Sequence, residues 1–293
     1  MTTKAKYGSE KVFNIVDIVL LAIFTVIIIF PIWNIVVSSF SSASALAKGS
    51  SLFWPSELSL ENYKAVFRDS SILTAFFISV AKTVIGVVLH VFFCAMVAYA
   101  LSKPDLVGRK LYTALGILTM FFSGGMIPTY LLIKQLGLLN SFWVYIIPAL
   151  FSYYDAIILM NLFRQISPSL EEAATIDGCG TWRIFLSIIM PLSKPALATI
   201  ALYHGVWQWN DFMTAKLYIT KERLYPLQMK IYEIIVKQQI SDMQNVSESI
   251  TISATPKGIQ LATIVITVLP IIMIYPLLQK YFIGGMMLGA TKE

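Results

Sequence analysis

Six long apolar runs constrain this chain more than any other feature. They lie at about 13–39, 73–101, 110–135, 142–164, 186–212 and 258–282. A helix needs about 20 predominantly apolar residues to cross the hydrocarbon core, and every run is that long. Backbone groups in lipid have no water to bond, so a spanning segment is a helix or part of a closed barrel. The alternating pattern of a membrane β-strand is absent from these runs. The expectation is an all-α polytopic membrane protein with six transmembrane helices, residues 1–293 forming a single domain. Only 13% of residues are charged, half of what a soluble domain carries. The first run is too long for a signal's apolar core, and no clear small-residue cleavage site follows it.

The net charge of +6 has a membrane explanation. Lys4, Lys6 and Lys11 precede the first run. Lys103, Arg109 and Lys110 crowd one short loop, Arg164, Arg183 and Lys194 flank another, and Lys280 and Lys292 follow the last run. Short loops rich in Lys and Arg face the cytoplasm. In a six-span topology all four segments fall on one side, with both termini cytoplasmic and residues 213–257 outside. Nothing resembles a nucleic-acid module.

Several features within and between the runs carry local expectations. LSLENYKAVF reads as a short amphipathic helix offering Leu58, Leu60, Tyr63, Val66 and Phe67 to the membrane surface. Gly124, Gly125 and Pro128 should weaken and bend the third span. LQMKIYEIIVKQQI reads as helical, and a Ser-rich piece follows it. Cys94 and Cys179 are too far apart in the topology to pair.

Chemistry of its own is missing from the sequence. There is no G-x-x-x-x-G-K-[ST] loop for phosphates and no G-x-S-x-G elbow. His90 and His204 stand alone in different spans, and no Cys/His cluster has metal-ligand spacing. No catalytic residue, metal site or cofactor is therefore assigned. If ATP drives this protein, another chain binds the ATP and its Mg²⁺.

The stretch Ser167–Pro195 differs from an ordinary membrane loop. Pro168 suits a first helical position with Ser167 as cap. A capping box from Ser169 to Glu172 is the alternative frame. Glu171 and Glu172 then sit in the first turn, where the helix dipole favours carboxylates. Ala173 and Ala174 let another backbone approach. Asp177-Gly178 and Gly180 end the helix, and Thr181 can cap the next one.

Glu172-Ala173-Ala174, Asp177-Gly178, Ile188, Pro191 and Pro195 together resemble the EAA loop of ABC importer membrane subunits. LSKPDLVGRKLY, TMFFSGGMIPTYLLI, DGCGTWRIFLSIIMPLSKPAL, LYPLQ and YPLLQKYFIGGMMLGATK extend the likeness over nearly the whole chain. It is similar to the MalG-type carbohydrate permeases, and most to the smaller membrane subunits of alginate importers. The resemblance implies the type I ABC importer permease fold in a bacterial cytoplasmic membrane. It implies a heterodimer with a second homologous permease, two ATPase subunits, and a solute-binding protein outside that delivers an oligo- or polysaccharide. The EAA loop would be the coupling helix, through Glu171, Glu172, Ala173, Ala174, Asp177, Gly178 and Pro191. Two positions depart from the usual pattern: Asp155 stands where Asn is expected and Asn161 where Arg is expected.

For the substrate path, YHGVWQWNDF is the richest stretch. Tyr203, Trp207 and Asn210 fall on one helical stripe, and His204, Gln208 and Asp211 on the adjacent one. Aromatic faces beside hydrogen-bonding groups suit a sugar; an aromatic belt at the outer interface accounts for the same residues. Tyr130 and Tyr154 add rings. Asp155 in mid-span needs water or a partner, and Lys82 is a cation within an apolar run. Lys82 gives a hint of an acidic, alginate-like substrate; a neutral maltodextrin-like one is the alternative. A secondary transporter or channel is a remoter alternative, and it leaves the EAA loop unexplained.

Overall fold

The computed structural model describes residues 3–49, 53–243 and 255–290. The Ser-rich piece after Met243 and the terminal Lys292 lie outside the described residues. Among the described residues the structure is helical, with one isolated antiparallel bridge between Ser41 and Leu58. The helices are α1 (Thr3–Ser39), α2 (Ala43–Ala47), α3 (Glu61–Arg68), α4 (Ser70–Ser102), α5 (Arg109–Phe121), α6 (Met126–Gln135) and α7 (Tyr153–Phe163). They continue with α8 (Pro168–Ile176), α9 (Thr181–Ile184), α10 (Met190–Leu192), α11 (Lys194–Asn210), α12 (Met213–Tyr218), α13 (Leu227–Met243) and α14 (Pro256–Ala290).

Among the described residues three helices are long and apolar enough to cross a membrane unaided: Phe13–Ser39, Ser70–Ser102 and Pro256–Ile274. Three further pairs qualify only together, because each bends at a short break: α5 with α6 by 116°, Phe142–Ala149 with α7 by 49°, and Thr181–Leu192 with α11 by 80°. Each bent pair is a broken span or a re-entrant element. The breaks follow from local chemistry. Between α5 and α6 the chain passes through Gly125 at φ 83°, a left-handed conformation that favours glycine. Neither α5, with 13 residues, nor α6, with 10, could span alone. Gly124-Gly125 therefore breaks the helix where a bend was expected. Before α7, Pro148 sits in a 3₁₀ turn and Ser152 caps α7 by accepting from the Asp155 amide at 3.3 Å.

The chain packs as two compact units, one of residues 1–69 and 234–266, the other of 70–233 and 267–293. In the first, Asn62 is buried and donates to the carbonyls of Ser39 and Ser41 at 3.1 and 3.0 Å. Val66, expected on the membrane surface, is instead buried, at 1% exposed. Leu58, Leu60 and Phe67 are exposed.

The second unit is built on α4, which packs against α7 and α11. Its buried positions include Ala75, Ser79, Lys82, Gly86, His90, Cys94 and Ala98, a stripe at three- and four-residue steps. Small residues on it admit close neighbours. A Cβ on Gly86 would lie 3.0 Å from the Gln208 amide, and one on Gly205 3.3 Å from Val87. One cluster gathers Ala95, Ala98, Ala156, Leu159, Phe163, Phe185 and Ile189; a second gathers Ile133, Val144, Tyr145, Ala215, Ile219 and Met229.

Candidate functional site

Lys82, His90 and Tyr99 on α4 each meet a polar partner from a different part of the unit. Lys82 is fully buried; its ammonium donates to the Asp211 carbonyl at 2.6 Å and lies 3.6 Å from the Asp211 carboxylate. The Tyr145 ring lies beneath it, 5.1 Å from the centroid. Gln208 is 1% exposed and donates to the Tyr145 carbonyl at 2.7 Å. Lys82 and Gln208, both expected on the substrate path, are thus enclosed and line none of the cavities described below.

One helical segment further on, His90 donates from Nδ1 to the Ala149 carbonyl at 2.8 Å, since a carbonyl can only accept. Its Nε2 lies 2.9 Å from Asp155 Oδ2. A proton lies between Nε2 and Oδ2, on one atom or the other, and either placement leaves the pair with no net charge. That resolves the cost of a carboxylate in mid-span: its partner is His90, not Lys82. The two histidines are not alone. His204 stacks on His90 with ring centroids 3.7 Å apart and 8° between the planes. Among the described residues His204 Nε2 is buried without a hydrogen-bond partner.

A cavity of about 340 Å³ opens over this pair, lined by His90, Phe151, Asp155, Tyr203, His204 and Trp207 among others. A second, of about 710 Å³, shares Asp155 and Tyr203 with it and continues past Tyr154, Ile158 and Gln165 to Ser193 and Pro195. The two stripes foreseen on α11 do separate. Tyr203 and Trp207 are 61% and 54% exposed, whereas His204 and Gln208 are buried. Asn210 is exposed and accepts from Gln228 at 3.0 Å. Tyr130 stacks on Tyr218, and Asn161 is exposed; neither lines these two cavities.

At the other end of α4, the Glu171 carboxylate accepts from the Tyr99 hydroxyl at 3.1 Å and forms an ion pair with Lys103. The Lys103 ammonium also lies 4.4 Å from the Tyr99 ring centroid. Tyr99 in turn stacks on Phe185 at 5.3 Å. α8 is therefore fastened to α4 through Glu171, while Glu172, Ala173, Asp177, Gly178 and Pro191 are exposed and Ala174 is buried. Pro168 takes the first helical position. Ser167 precedes it, but its hydroxyl meets Ser169 at 2.8 Å and caps no amide. The helix closes on Gly178 at φ 79°, with the Gly178 amide bonded to Thr175 and the Cys179 amide to Ala174. That is the double-bonded C-terminal cap that only glycine enters without strain. Thr181 is the first residue of α9, not its cap; Gly180 holds that place.

No family model matches the chain. Curated relatives do. It is 40% identical over 284 residues to Protein LplC of Bacillus subtilis (strain 168), covering 96% of this chain and 95% of that protein. It is 38% identical over 285 residues to the polygalacturonan/rhamnogalacturonan transport system permease protein YtcP of the same organism, covering 97% and 99%. Among solved structures, a chain of a bacterial ABC transporter that imports the acidic polysaccharide alginate superposes with a TM-score of 0.86. It is 34% identical, covering 94% of this chain and 98% of that one. The chain belongs to the carbohydrate ABC transporter permeases. The MalG-type likeness read from the EAA segment is that of this family.

A permease of this family is a multi-pass inner-membrane protein and not an enzyme; the ATPase is a separate subunit, and a solute-binding protein serves the importer. Sequence periodicity missed His90, Tyr99, Lys103 and Tyr145 as parts of the site. The signal for His90 was the α4 stripe itself, on which Lys82, Gly86, His90 and Cys94 recur every fourth residue; Tyr99, Lys103 and Tyr145 lie off it.

Proposed function

We propose that this permease is one of two homologous membrane subunits of an ATP-driven importer for oligosaccharides. Its three continuous and three bent apolar segments make six spans, with both termini cytoplasmic. Two ATPase subunits dock from the cytoplasm, one of them on the exposed face of α8 formed by Glu172, Ala173, Asp177 and Gly178. Glu171 then ties that face to α4, and α4 carries movement to the His90–Asp155 pair.

The observation that carries this reading is the continuity of the two cavities through Asp155 and Tyr203. It joins an aromatic-lined polar pocket to Ser193 and Pro195, at the end of the EAA segment. Exposed rings of Tyr154, Tyr203 and Trp207 can stack on the C–H faces of sugar units, while Asp155 accepts from hydroxyls.

The substrate is an acidic polysaccharide, alginate-like in charge. Support comes from the 34% identical chain of an importer of acidic alginate. One observation favours a neutral substrate instead: neither cavity is lined by Lys or Arg, and Lys82 is held by Asp211. The test is ATP hydrolysis by the full complex in liposomes with its binding protein. Acidic oligosaccharides should stimulate it and neutral ones of equal length should not. Equal stimulation by both rules out the acidic-substrate reading and leaves the permease assignment untouched; stimulation by the neutral sugars alone assigns the neutral class.

A further inference from the structure

The start of α5 and the end of α7 enclose a groove of about 810 Å³, distinct in its lining from the two cavities at Asp155 and Tyr203. Its polar mouth is formed by Arg109, Lys110 and Arg164, and its wall by Leu106, Ala114, Ile117 and Met160. No carboxylate lines it. Among the described residues the ion pairs engage Lys64, Lys82, His90, Lys103 and Lys230, and none of these three cations. Arg109 and Arg164 also line the adjoining cleft, whose acids are Asp105, Glu171 and Glu172; Glu171 is taken by Lys103, and among the described residues neither Asp105 nor Glu172 forms an ion pair with an arginine. The Arg164 guanidinium leans on the Met160 sulfur at 3.2 Å, at the boundary between mouth and wall. Above the mouth, α5 has no buried residue, and Leu111, Leu115 and Leu118 are exposed.

We infer that this groove binds an anionic phospholipid of the cytoplasmic leaflet. Three like charges on one rim repel one another unless an anion sits among them. Guanidinium groups match a phosphodiester through paired N–H donors. An apolar wall leading away from a cationic mouth at the membrane surface matches a lipid with its headgroup at the mouth and a chain along α5. A soluble phosphate would use the mouth and leave the wall bare, and an acidic protein surface would have no use for the wall. The inference takes from the proposed function only that the chain lies in a membrane with this loop on the cytoplasmic side.

The test is native mass spectrometry of the purified transporter complex released from nanodiscs of phosphatidylcholine containing phosphatidylglycerol. The wild type should retain phosphatidylglycerol in preference to phosphatidylcholine. Arg109→Gln with Arg164→Gln should weaken that retention about 25-fold, from roughly fivefold per neutralised cation near the surface. Arg109→Lys with Arg164→Lys should restore most of it and show that the double change has not unfolded the chain. Lys134→Gln, outside the groove, should change nothing. Equal retention of the two lipids by the wild type, or unchanged retention in the double Gln variant, overturns the site. Because the readout is bound lipid, a failure here is separable from any failure of sugar transport.

Discussion

The Lys82 ammonium on α4 reaches the Asp211 backbone carbonyl at 2.6 Å and the Asp211 carboxylate at 3.6 Å. The contact ties the middle of one long helix to the end of α11, 129 residues away. Lys82 is 0% exposed and the Asp211 side chain 11%, so losing one partner strands a charge.

Lys82→Met should accordingly lower stability by about 3–5 kcal/mol, the usual cost of breaking a buried pair from one side. Asp211→Asn in the same chain should recover part of it, because no unpaired carboxylate then remains. Lys134→Ala, at an exposed position, should stay within about 0.5 kcal/mol. Thermal unfolding in detergent measures all three. A Lys82→Met chain as stable as the wild type would mean that the pair does not hold α4 to α11.

Glu171 and Glu172 are neighbours with different surroundings, and their variants should separate. Glu171→Ala removes the acceptor for Tyr99 and Lys103 and should cost about 1 kcal/mol, discounted because the pair is partly exposed. Glu172→Lys should leave the unfolding temperature unchanged and reduce the amount of ATPase that co-purifies. Equal effects of the two changes on stability would remove the distinction.

Gly178 tests backbone conformation alone. A Cβ there would meet nothing within 4 Å, yet φ is 79°. Gly178→Ala should cost about 1 kcal/mol from the left-handed backbone, and Gly178→Asn less. At Gly116 the outcome differs, because a Cβ would run into the Tyr153 ring. Gly116→Ala should be the more damaging change by thermal unfolding.

Glu57 gives a pH dependence in the first unit. Hydrogen bonds from Ser42 and then Ser44 hold its carboxyl below the usual carboxylate value. A depressed folded-state value means the contribution is present at neutral pH and fades as pH falls through that value. The difference in unfolding temperature between wild type and Glu57→Gln should therefore shrink on acidification. A difference that grows toward low pH would contradict it.

The apolar runs made the helices legible, and the residues at Glu172–Pro195 made the family legible. Periodicity put Tyr203 and Trp207 on one α11 stripe and His204 and Gln208 on the next; which stripe is exposed and which buried came from the structure alone. What a period cannot supply is the partner across the unit. Asp211 for Lys82, Asp155 for His90, and Glu171 for Tyr99 are 129, 65 and 72 residues apart. The same limit hid the stacking of His90 on His204, read from the sequence as two isolated histidines. The broken helices were only partly legible: Gly124-Gly125 marked one place, but the angles of 116° and 49° depend on packing that hydropathy does not register. Val66 was read as a membrane-surface residue because an amphipathic helix shows an apolar face without saying what covers it.

The most direct test of the account is uptake of labelled acidic oligosaccharide into liposomes holding this chain, its partner permease, the ATPase subunits and the binding protein. Uptake should require ATP inside the coupled system, and Glu172→Lys should abolish both uptake and substrate-stimulated hydrolysis while the variant chain still inserts. Uptake that persists without ATP, or a Glu172→Lys complex that transports and hydrolyses as the wild type does, would contradict the claim that α8 couples an ATPase to the cavity at Asp155 and Tyr203.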